Sequence, residues 1–410
     1  MRLAVFTSHF PGKVNTFFAR DMRALLEAGI ELDIFPLYPL DPEFWRYVPD
    51  ILNERVLPRD RVHHLTLAQT ISLKGLSRPR QVARFARDTS AIRASALPFG
   101  LRPMAKNEYL FLKAWAWAQQ HGDAFDHILS YWGNYSASAA YIFHRLMNRR
   151  VPFSMFLHAG TDLYRDQIFL RQKMLHADNI MVVCDFNRQY IKAHFPDVYP
   201  QLASKIHLYH LGLDFSEFVF RIGGRKPHTV LAVGSLEAIK GFDYLIRAVA
   251  QLSERGTPVQ LEIIGDGPER ANLTQLAHQL GIASLVTFRG LMPFDQVREA
   301  MAEATILVHP SIGLGDAVPT VIKEAMAVGA PIVASAVAGI PELLDAGRCG
   351  VLVPPCDPEA LSAAVGKLLS DEPLRVLYAS AARKFAERRF DLWRNGSVLA
   401  ARLMSNKNAA

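Results

Sequence analysis

The sequence predicts an α/β protein with two Rossmann-like domains, each built on a parallel sheet. The chain has 410 residues, half of them apolar, and this length exceeds the size at which a single core stops growing. Short β-branched runs alternate along it with segments of helical period, which is typical of repeated βα units. Two such series are separated by a segment with paired glycines and a proline. We therefore expect two domains rather than one.

The first series predicts six strands, each a short apolar run. The opening segment MRLAVFTSHFPG has too few apolar residues for a signal-peptide core and is expected to be the first buried strand. A helix is expected to begin near Asn15, and Gly12 is the single glycine between strand and helix. No GxGxxG is present there, so classical NAD binding is disfavoured. The expected strands are residues 3–7, 31–35, 127–131, 153–157, 180–184 and 205–209.

The second series predicts the sheet of a C-terminal domain. We expect an N-terminal domain at 1–215, a linker at 216–228, a second domain at 229–385, and a final helix in 386–410 that packs back on the first domain. The longest uncharged run, 325–341, is divided by glycines and prolines, so no transmembrane helix is expected. The expected strands of this series are residues 230–234, 261–265, 285–288, 305–309 and 331–335.

Charge and cysteine content narrow the function classes. Lys and Arg outnumber Asp and Glu by 46 to 39, a net charge of +7, which is compatible with anionic ligands, nucleic acid or a membrane surface. The three cysteines, Cys184, Cys349 and Cys356, form no CxxC pair and are odd in number. Neither a zinc knuckle nor a disulfide framework is indicated, and a cytoplasmic location fits best.

The stretch GDAVPTVIKEAM at 315–326 carries two carboxylates around a proline. Pro319 suits the first position of a helix, because its φ is fixed and it has no N–H to lose. Asp316 then lies in the loop ahead of the helix, and Glu324 lies inside it. A helix start supplies free N–H groups and partial positive charge, so phosphate could bind there. Alternatively, Asp316 caps the helix and Glu324 belongs to a solvated face.

Residues just after each strand matter because ligands of doubly wound sheets bind at the carboxyl ends of the strands. Lys240 can place a charge on phosphate, and Glu324 can accept hydrogen bonds from a ribose diol. A histidine on its own is more often a satisfied buried one, but the position of His158 at the end of a strand in the first series favours a functional role. In the Gly-Asp-Gly turn that begins at Gly265, we expect Asp266 mainly to shape the turn. The set suits a nucleoside diphosphate that carries a sugar.

Several segments resemble a retaining glycosyltransferase of family four. In the C-terminal half these are VGSLEAIKGFDYLIRA, IGDGPERANLTQLAHQLG, VTFRG, HPSIGLGDAVPTVIKEAMAVGAPIVAS and AGIPELL. In the N-terminal half, NTFFARDMRALLEAGIELDIFPL resembles the exopolysaccharide-building branch, FLHAGTDL the family's His-Gly-Asp segment, and HLGLD its Gly-Val-Asp turn. The resemblance implies the GT-B architecture, in which two Rossmann-like domains have parallel sheets that face each other across a cleft.

The resemblance also implies residue roles. Glu324 matches the second Glu of the family's E-x7-E motif, which binds the donor ribose, and Asp316 stands where the first Glu contacts the hexose. Lys240 matches the lysine that clamps the donor diphosphate, and Ser235 replaces its usual partner arginine. Base recognition is expected from backbone groups around Arg289. The implied catalytic residues are His158, Asp316 and Lys240. The implied donor-binding residues are Gly12, Ser235, Lys240, Gly265, Arg289, Asp316, Pro319, Thr320 and Glu324.

The implied reaction moves a hexose from a nucleoside-diphosphate sugar to a glycan or lipid-linked acceptor, with retention of anomeric configuration. No metal or other cofactor is expected, because Lys240 and the helix start can neutralise the leaving phosphate. Two alternatives stay open. One is a non-catalytic GT-B protein that binds nucleotide sugar or acts as a scaffold, which would explain Ser235 and the shortened Asp316. The other is a GT-B sugar phosphorylase or epimerase.

The positive charge is concentrated between Ile71 and Lys113, where nine basic residues accompany two acidic ones. A helical spacing of apolar residues there predicts a basic amphipathic helix with Arg80, Arg84 and Arg87 opposite the apolar face. Peripheral contact with the anionic inner face of the cell membrane and a plain solvated face remain equal alternatives. Nucleic acid is not an expected partner. The apolar positions are Val82, Phe85, Ala86, Thr89 and Ile92.

Overall fold

The computed structural model describes residues 1–10, 16–38, 57–71, 76–165 and 167–405. The chain divides into two compact units. The first contains Met1–Gly212 together with Leu392–Ala410, and the second contains Leu213–Asp391. Within the described ranges, no helix is long and apolar enough to cross a membrane.

The first unit is a six-stranded, wholly parallel sheet in the order β2-β1-β3-β4-β5-β6. Its strands are β1 (Arg2–Thr7), β2 (Glu31–Pro36), β3 (His127–Ser130), β4 (Phe153–Leu157), β5 (Asn179–Val182) and β6 (Ile206–Leu208). Its first nine helices are α1 (Thr16–Glu27), α2 (Leu67–Thr70), α3 (Pro79–Ala96), α4 (Leu101–His121), α5 (Tyr135–Leu146), α6 (Gly160–Leu163), α7 (Leu170–His176), α8 (Asp185–His194) and α9 (Tyr199–Leu202). Residues of β1, β3 and β4 are almost fully buried, as expected where helices cover both faces of a parallel sheet.

The second unit is a parallel sheet in the order β12-β11-β10-β7-β8-β9. Its strands are β7 (Lys226–Val233), β8 (Gln260–Ile264), β9 (Val286–Gly290), β10 (Ala304–His309), β11 (Ile332–Ser335) and β12 (Val351–Val353). Its helices are α10 (Phe242–Glu254), α11 (Arg270–Gln279), α12 (Phe294–Glu303), α13 (Thr320–Val328), α14 (Ile340–Leu343), α15 (Pro358–Ser370) and α16 (Glu372–Arg389). Counted from β7, this is the strand order 3-2-1-4-5-6 of dinucleotide-binding folds. The order reverses between β7 and β10, where a crevice opens at the carboxyl edge.

All eleven strands expected from the sequence are present, and β12 is the strand that was not predicted. Its three residues are too short to show an alternating pattern. The uncharged run 325–341 is interrupted as expected: α13 ends at Val328, Gly329 has a φ of 77°, and β11 follows.

The predicted linker 216–228 is wrong, because these residues belong to the second unit. Phe218 is buried in the core of that unit. Arg225 donates from Nη1 to the carbonyl oxygens of Met301, Ala302 and Ala304 at 2.9–3.0 Å. β7 also begins at Lys226, inside the predicted linker. Glycines and proline indicated a flexible connection, but the aromatic ring of Phe218 and the partly buried guanidinium of Arg225 hold the segment on the sheet.

The C-terminal helix α17 (Leu392–Ser405) belongs to the first unit and packs against α1. The ring of His127, on β3, contacts the carbonyl oxygen of Leu403 with its Nδ1 at 3.0 Å. Gly396 lies so close to α1 that a Cβ atom added to it would stand 2.4 Å from Cβ of Ala24. The predicted segment 386–410 is therefore divided, since α16 extends to Arg389 in the second unit.

We expect Gly396→Ala to destabilise the first unit by about 1–2 kcal/mol, because overpacking exceeds the gain in helix propensity. The exchange variant Ala24→Gly with Gly396→Ala should recover most of this loss, since it keeps one methyl group at the contact. Chemical unfolding followed by circular dichroism measures both effects.

A matched control is Gly366→Ala in α15, where the added Cβ would meet Cδ2 of Leu252 at an ordinary 3.4 Å. That change should stabilise the protein by about 0.5–1 kcal/mol through helix propensity alone. A similar gain for Gly396→Ala would contradict the close packing of α17 on α1.

Candidate functional site

Two chain segments meet at the point where the strand order of the second sheet reverses. The turn after β7 ends at Gly241, whose φ is 64°. A Cβ atom there would stand 2.2 Å from the carbonyl oxygen of Pro310, so this close approach requires glycine. The N–H of Ile312 donates to the carbonyl oxygen of Ile239 at 2.9 Å. The β7–α10 turn and the loop after β10 are thereby joined.

This junction brings together Lys240 and Asp316, which the sequence analysis placed in the same site. Lys240 Nζ lies 2.8 Å from Asp316 Oδ2. Nε2 of His309 lies 2.7 Å from the same oxygen, and the hydroxyl of Ser311 donates to it as well. The Asp316 side chain is 11% exposed and that of Lys240 is 18% exposed. The result is a mostly buried ion pair with two further hydrogen-bond partners.

Electrostatics keep the Asp316 carboxylate ionised. Burial alone would raise the pKa of this group, but His309 and Lys240 outweigh burial and hold the pKa well below its usual range. At neutral pH, Asp316 is therefore an anion that orients the Lys240 ammonium group.

Helix α13 begins at Thr320, one residue later than the sequence predicted, and Pro319 is its N-cap residue. Among the described residues, no side chain caps this end. Asp316 therefore does not cap the helix, and that alternative is wrong. The N–H groups of the first turn, together with the helix dipole, remain available to an anion.

Glu324 lies in the second turn of α13 and is 6% exposed, and the neighbouring Lys323 is 1% exposed. The interpretation of Glu324 as part of a solvated face is therefore wrong. A carboxylate that close to the start of a buried helix is costly to place in the interior unless it has a specific role or specific partners.

Ser235 and Gly265 are neighbours at the carboxyl edge. Gly265 has a φ of 136°, and a Cβ atom there would stand 1.9 Å from the carbonyl oxygen of Gly234. Only glycine permits this approach of the β7 and β8 ends. Ser235 is exposed. Asp266 Oδ1 accepts a hydrogen bond from the N–H of Gly267 at 2.8 Å, which agrees with a role in shaping the turn.

Arg289 turns its side chain away from this edge. Its Nη1 lies 2.7 Å from Glu262 Oε2, and both residues line a cavity of about 390 Å³ beside α12. The backbone next to it does reach the edge, since the carbonyl oxygen of Gly290 accepts from the N–H of Gly265 at 2.8 Å. Any contact of this segment with a ligand at the edge would therefore come from the backbone.

His158 lies in the first unit, directly after β4, and is packed among aromatic rings. The ring centroid of Trp132 is 4.7 Å away, and that of Phe156 is 5.3 Å away in a stacked arrangement. His158 Nδ1 lies 3.3 Å from Asp162 Oδ2. His158 Nε2 and Asp162 Oδ1 are buried and have no hydrogen-bond partner among the described residues. Buried polar atoms without a described partner, on two residues that contact each other, are suited to a polar ligand.

The buried amine of Lys173 supports the same region. Nζ donates to the carbonyl oxygens of Gly133 and Asn134 at 2.8 and 3.0 Å. Burial lowers the pKa of this amine to about 7, although the nearby Asp162 opposes the shift. Lys173 thereby fixes the turn after β3.

The sequence analysis assigned no role to His309 or Ser311, and it included Asp162 only as the Asp of the FLHAGTDL segment. A signal was available for the first two, because His-Pro-Ser directly follows a buried strand at the edge where ligands bind. Gly12, a predicted donor-binding residue, lies outside the described residues.

We expect Asp316→Asn to destabilise the second unit by about 1–3 kcal/mol, because hydrogen bonds to a charged group are lost and Lys240 keeps a buried charge. Since the folded-state pKa of Asp316 is lowered, the difference from wild type should be full above the ordinary value of 3.8 and should shrink as pH falls below it. Urea unfolding at several pH values measures it. The control Asp266→Asn removes the same charge from an exposed turn and should cost less than about 0.5 kcal/mol; equal losses would contradict the role of Asp316.

The chain is similar in sequence to named glycosyltransferases. Residues 227–371 match the family model described as glycosyl transferases group 1. The amylovoran biosynthesis glycosyltransferase AmsK of Erwinia amylovora is 26% identical, and the match covers 95% of this chain and 96% of that protein. The alpha-D-kanosaminyltransferase of Streptomyces kanamyceticus is 34% identical over 42% of this chain. That match spans less than half of the relative, 44% of its length.

Solved structures share the fold over the whole chain. HepE of Anabaena, in complex with UDP and glucose, has a TM-score of 0.70 at 18% identity and covers 99% of this chain and 100% of its own. Sucrose-phosphate synthase of Thermosynechococcus elongatus has a TM-score of 0.74 at 20% identity, with 100% and 99% covered. The chain therefore has the GT-B fold with two Rossmann-like units, and its residues 227–371 match the group 1 glycosyl transferase model.

Proposed function

We propose that this protein is a glycosyltransferase of polysaccharide biosynthesis that moves a hexose from a nucleoside-diphosphate sugar to a glycan or lipid-linked acceptor, with retention of configuration. The observation that carries the proposal is the Lys240–Asp316 pair at the reversal point of the second sheet, next to the uncapped start of α13. AmsK, which matches along nearly the whole chain, is named for amylovoran biosynthesis, and the structure of HepE is a complex with UDP and glucose.

In this proposal, the donor diphosphate binds between Lys240 and the first turn of α13. Asp316 keeps the ammonium group of Lys240 at the edge before the donor arrives, so little reorganisation is needed on binding. The N–H groups of the helix start supply the remaining donors for the leaving phosphate. Such a set neutralises the developing charge without a metal ion, and we propose that none is required.

Glu324 binds the ribose of the donor. One turn of helix separates it from Thr320, so a phosphate at the helix start and a ribose diol beside Glu324 lie within the length of one nucleotide. A buried carboxylate accepts two hydroxyl donors more strongly than a neutral group does.

His158 binds a hydroxyl group of a sugar. If Nδ1–H donates to Asp162, Nε2 becomes an acceptor for that hydroxyl. Departure of the nucleoside diphosphate and attack by the acceptor on the same face of the hexose would give retention. Lys240 and Asp316 act at the leaving group in this scheme.

The test is a screen of nucleoside-diphosphate sugars for protection against thermal unfolding. A ligand at a hundred times its dissociation constant adds about 2.7 kcal/mol. Sugar transfer should then be measured with the protecting donor, with and without EDTA, and we expect equal rates. Binding without turnover would favour the scaffold alternative. Release of a sugar phosphate from a disaccharide would favour the phosphorylase.

We expect Glu324→Gln to weaken donor binding by tenfold or more and Glu324→Ala to abolish it, while the fold stays intact. The physical reason is the loss of a charged acceptor for the diol, worth about 1.5–3 kcal/mol. Isothermal titration with the donor measures the change. Glu299→Gln, on the exposed side of α12, is the charge-matched control. Unchanged affinity in the Glu324 variants would contradict the proposed ribose contact.

Ser235→Arg should raise donor affinity by about three- to tenfold, because a guanidinium at this exposed edge position adds a charge-assisted contact to the diphosphate. Ser235→Met extends the side chain to a similar length without charge and should leave affinity near that of wild type. A loss of affinity in a folded Ser235→Arg variant would show that the serine is specifically required.

A further inference from the structure

We propose that the tip of the α3–α4 hairpin, residues 97–101, inserts as an apolar wedge into the surface of an anionic lipid bilayer. The basic residues of the same hairpin would lie at the level of the lipid head groups. The proposal concerns attachment of the protein and does not depend on the sugar-transfer function.

The tip exposes three large apolar side chains within five residues. Leu97 is 61% exposed, Phe99 41% and Leu101 83%. Residues 97–99 form a single 3-10 turn, and Gly100, with a φ of 92°, leads into α4. Scattered single apolar residues are normal on a protein surface, but a cluster at the end of a projecting hairpin indicates an interaction site.

The rest of the hairpin is anchored in the first unit, so the tip is held in a defined position. Ile92 and Ala96 of α3 are fully buried. Phe85 packs on Trp115 of α4 with a centroid distance of 5.0 Å. The apolar side of α3 that the sequence analysis considered for a membrane therefore faces the protein core instead. The apolar groups available to lipid are those at the tip.

The charge around the tip is positive. Residues 76–106 contain seven basic residues and one acidic residue, Asp88. Asp88 is 5% exposed and is paired with Arg145 and Arg87. Arg102 and Lys106 follow the tip directly and are exposed. No acidic side chain in this segment therefore opposes an anionic surface.

The three arginines predicted for this surface differ in availability. Arg80 is exposed. Nη1 of Arg84 donates to the carbonyl oxygen of Arg145 at 2.6 Å, and the side chain of Arg87, paired with Asp88, is still 66% exposed. Two of the three thus have partners already, and the exposed basic residues that follow the apolar tip are Arg102 and Lys106.

A lipid bilayer can interact with the apolar tip and with the basic residues at the same time. Large apolar side chains enter the boundary between head groups and acyl chains, about 5–10 Å deep, and basic groups remain at the anionic surface. Each basic residue near such a surface improves binding by about fivefold, the equivalent of the roughly 1 kcal/mol expected per residue. Nucleic acid would satisfy the charge but not the apolar tip.

The first test is cosedimentation of the full chain with vesicles of phosphatidylglycerol and phosphatidylcholine, and with phosphatidylcholine alone. Wild type should bind the anionic vesicles, and less so as salt rises. The triple change Leu97→Ser, Phe99→Ser and Leu101→Ser should reduce binding about tenfold or more. The matched control Val219→Ser with Leu377→Ser alters two side chains of 68% and 62% exposure and should bind like wild type.

The second test reports insertion directly. Cys184 and Cys349 are buried and Cys356 is exposed, so Leu97→Cys in a Cys356→Ser background provides one reactive thiol for an environment-sensitive NBD probe. Its emission should shift to the blue on addition of anionic vesicles, whereas a probe at Leu377→Cys should not respond. Absence of the shift at position 97, or vesicle binding that the triple change leaves intact, would overturn the proposal. The midpoint of thermal unfolding without vesicles should stay near that of wild type in every variant.

Discussion

The ion pair between Asp316 and Lys240 is the interaction on which the edge of the second sheet depends. A doubly wound sheet necessarily leaves a crevice where its strand order reverses, and in this chain the crevice separates the end of β7 from the end of β10. One carboxylate oxygen of Asp316 contacts both Lys240, in the turn after β7, and His309, the last residue of β10. The pair therefore fixes a cation at the mouth of the crevice.

Most of the sheet content was predictable because parallel strands buried on both faces are short, continuous apolar runs. β12 was not, since three residues carry too little pattern. The segment before β7 was mistaken for a linker because the carbonyl groups that hold Arg225 come from residues about 80 positions later, which no local pattern can indicate. The burial of Asp88 in α3 was not predictable for the same reason, since its partner Arg145 lies 57 positions later.

In the candidate site, too, some features could be predicted from the sequence and others could not. Lys240, Asp316 and Glu324 were found from motif register, which reflects backbone positions at the carboxyl edge. The partners of Asp316 were not found, because His309 and Ser311 act through a loop whose path is set by the contact between Gly241 and Pro310. The direction of the Arg289 side chain was equally hidden, since it depends on Glu262 in the neighbouring strand. The positions of the site residues could be inferred from the sequence, but the partners of their side chains could not.

Because α17 belongs to the first unit, the order in which the ribosome synthesises the chain determines which unit can complete its folding first. The second unit is one continuous segment, Leu213–Asp391, whose ends meet where the N–H of Leu213 donates to the carbonyl oxygen of Phe390 at 2.7 Å. The first unit is interrupted by it, and the contact of His127 with Leu403 joins residues 276 positions apart. During synthesis, the ribosome therefore releases all strands of the first sheet well before the helix that completes the surface of α1. The second unit is therefore fully synthesised before the first unit, because the first unit still lacks α17 when residue 391 has been added. We expect the first unit to complete its folding last.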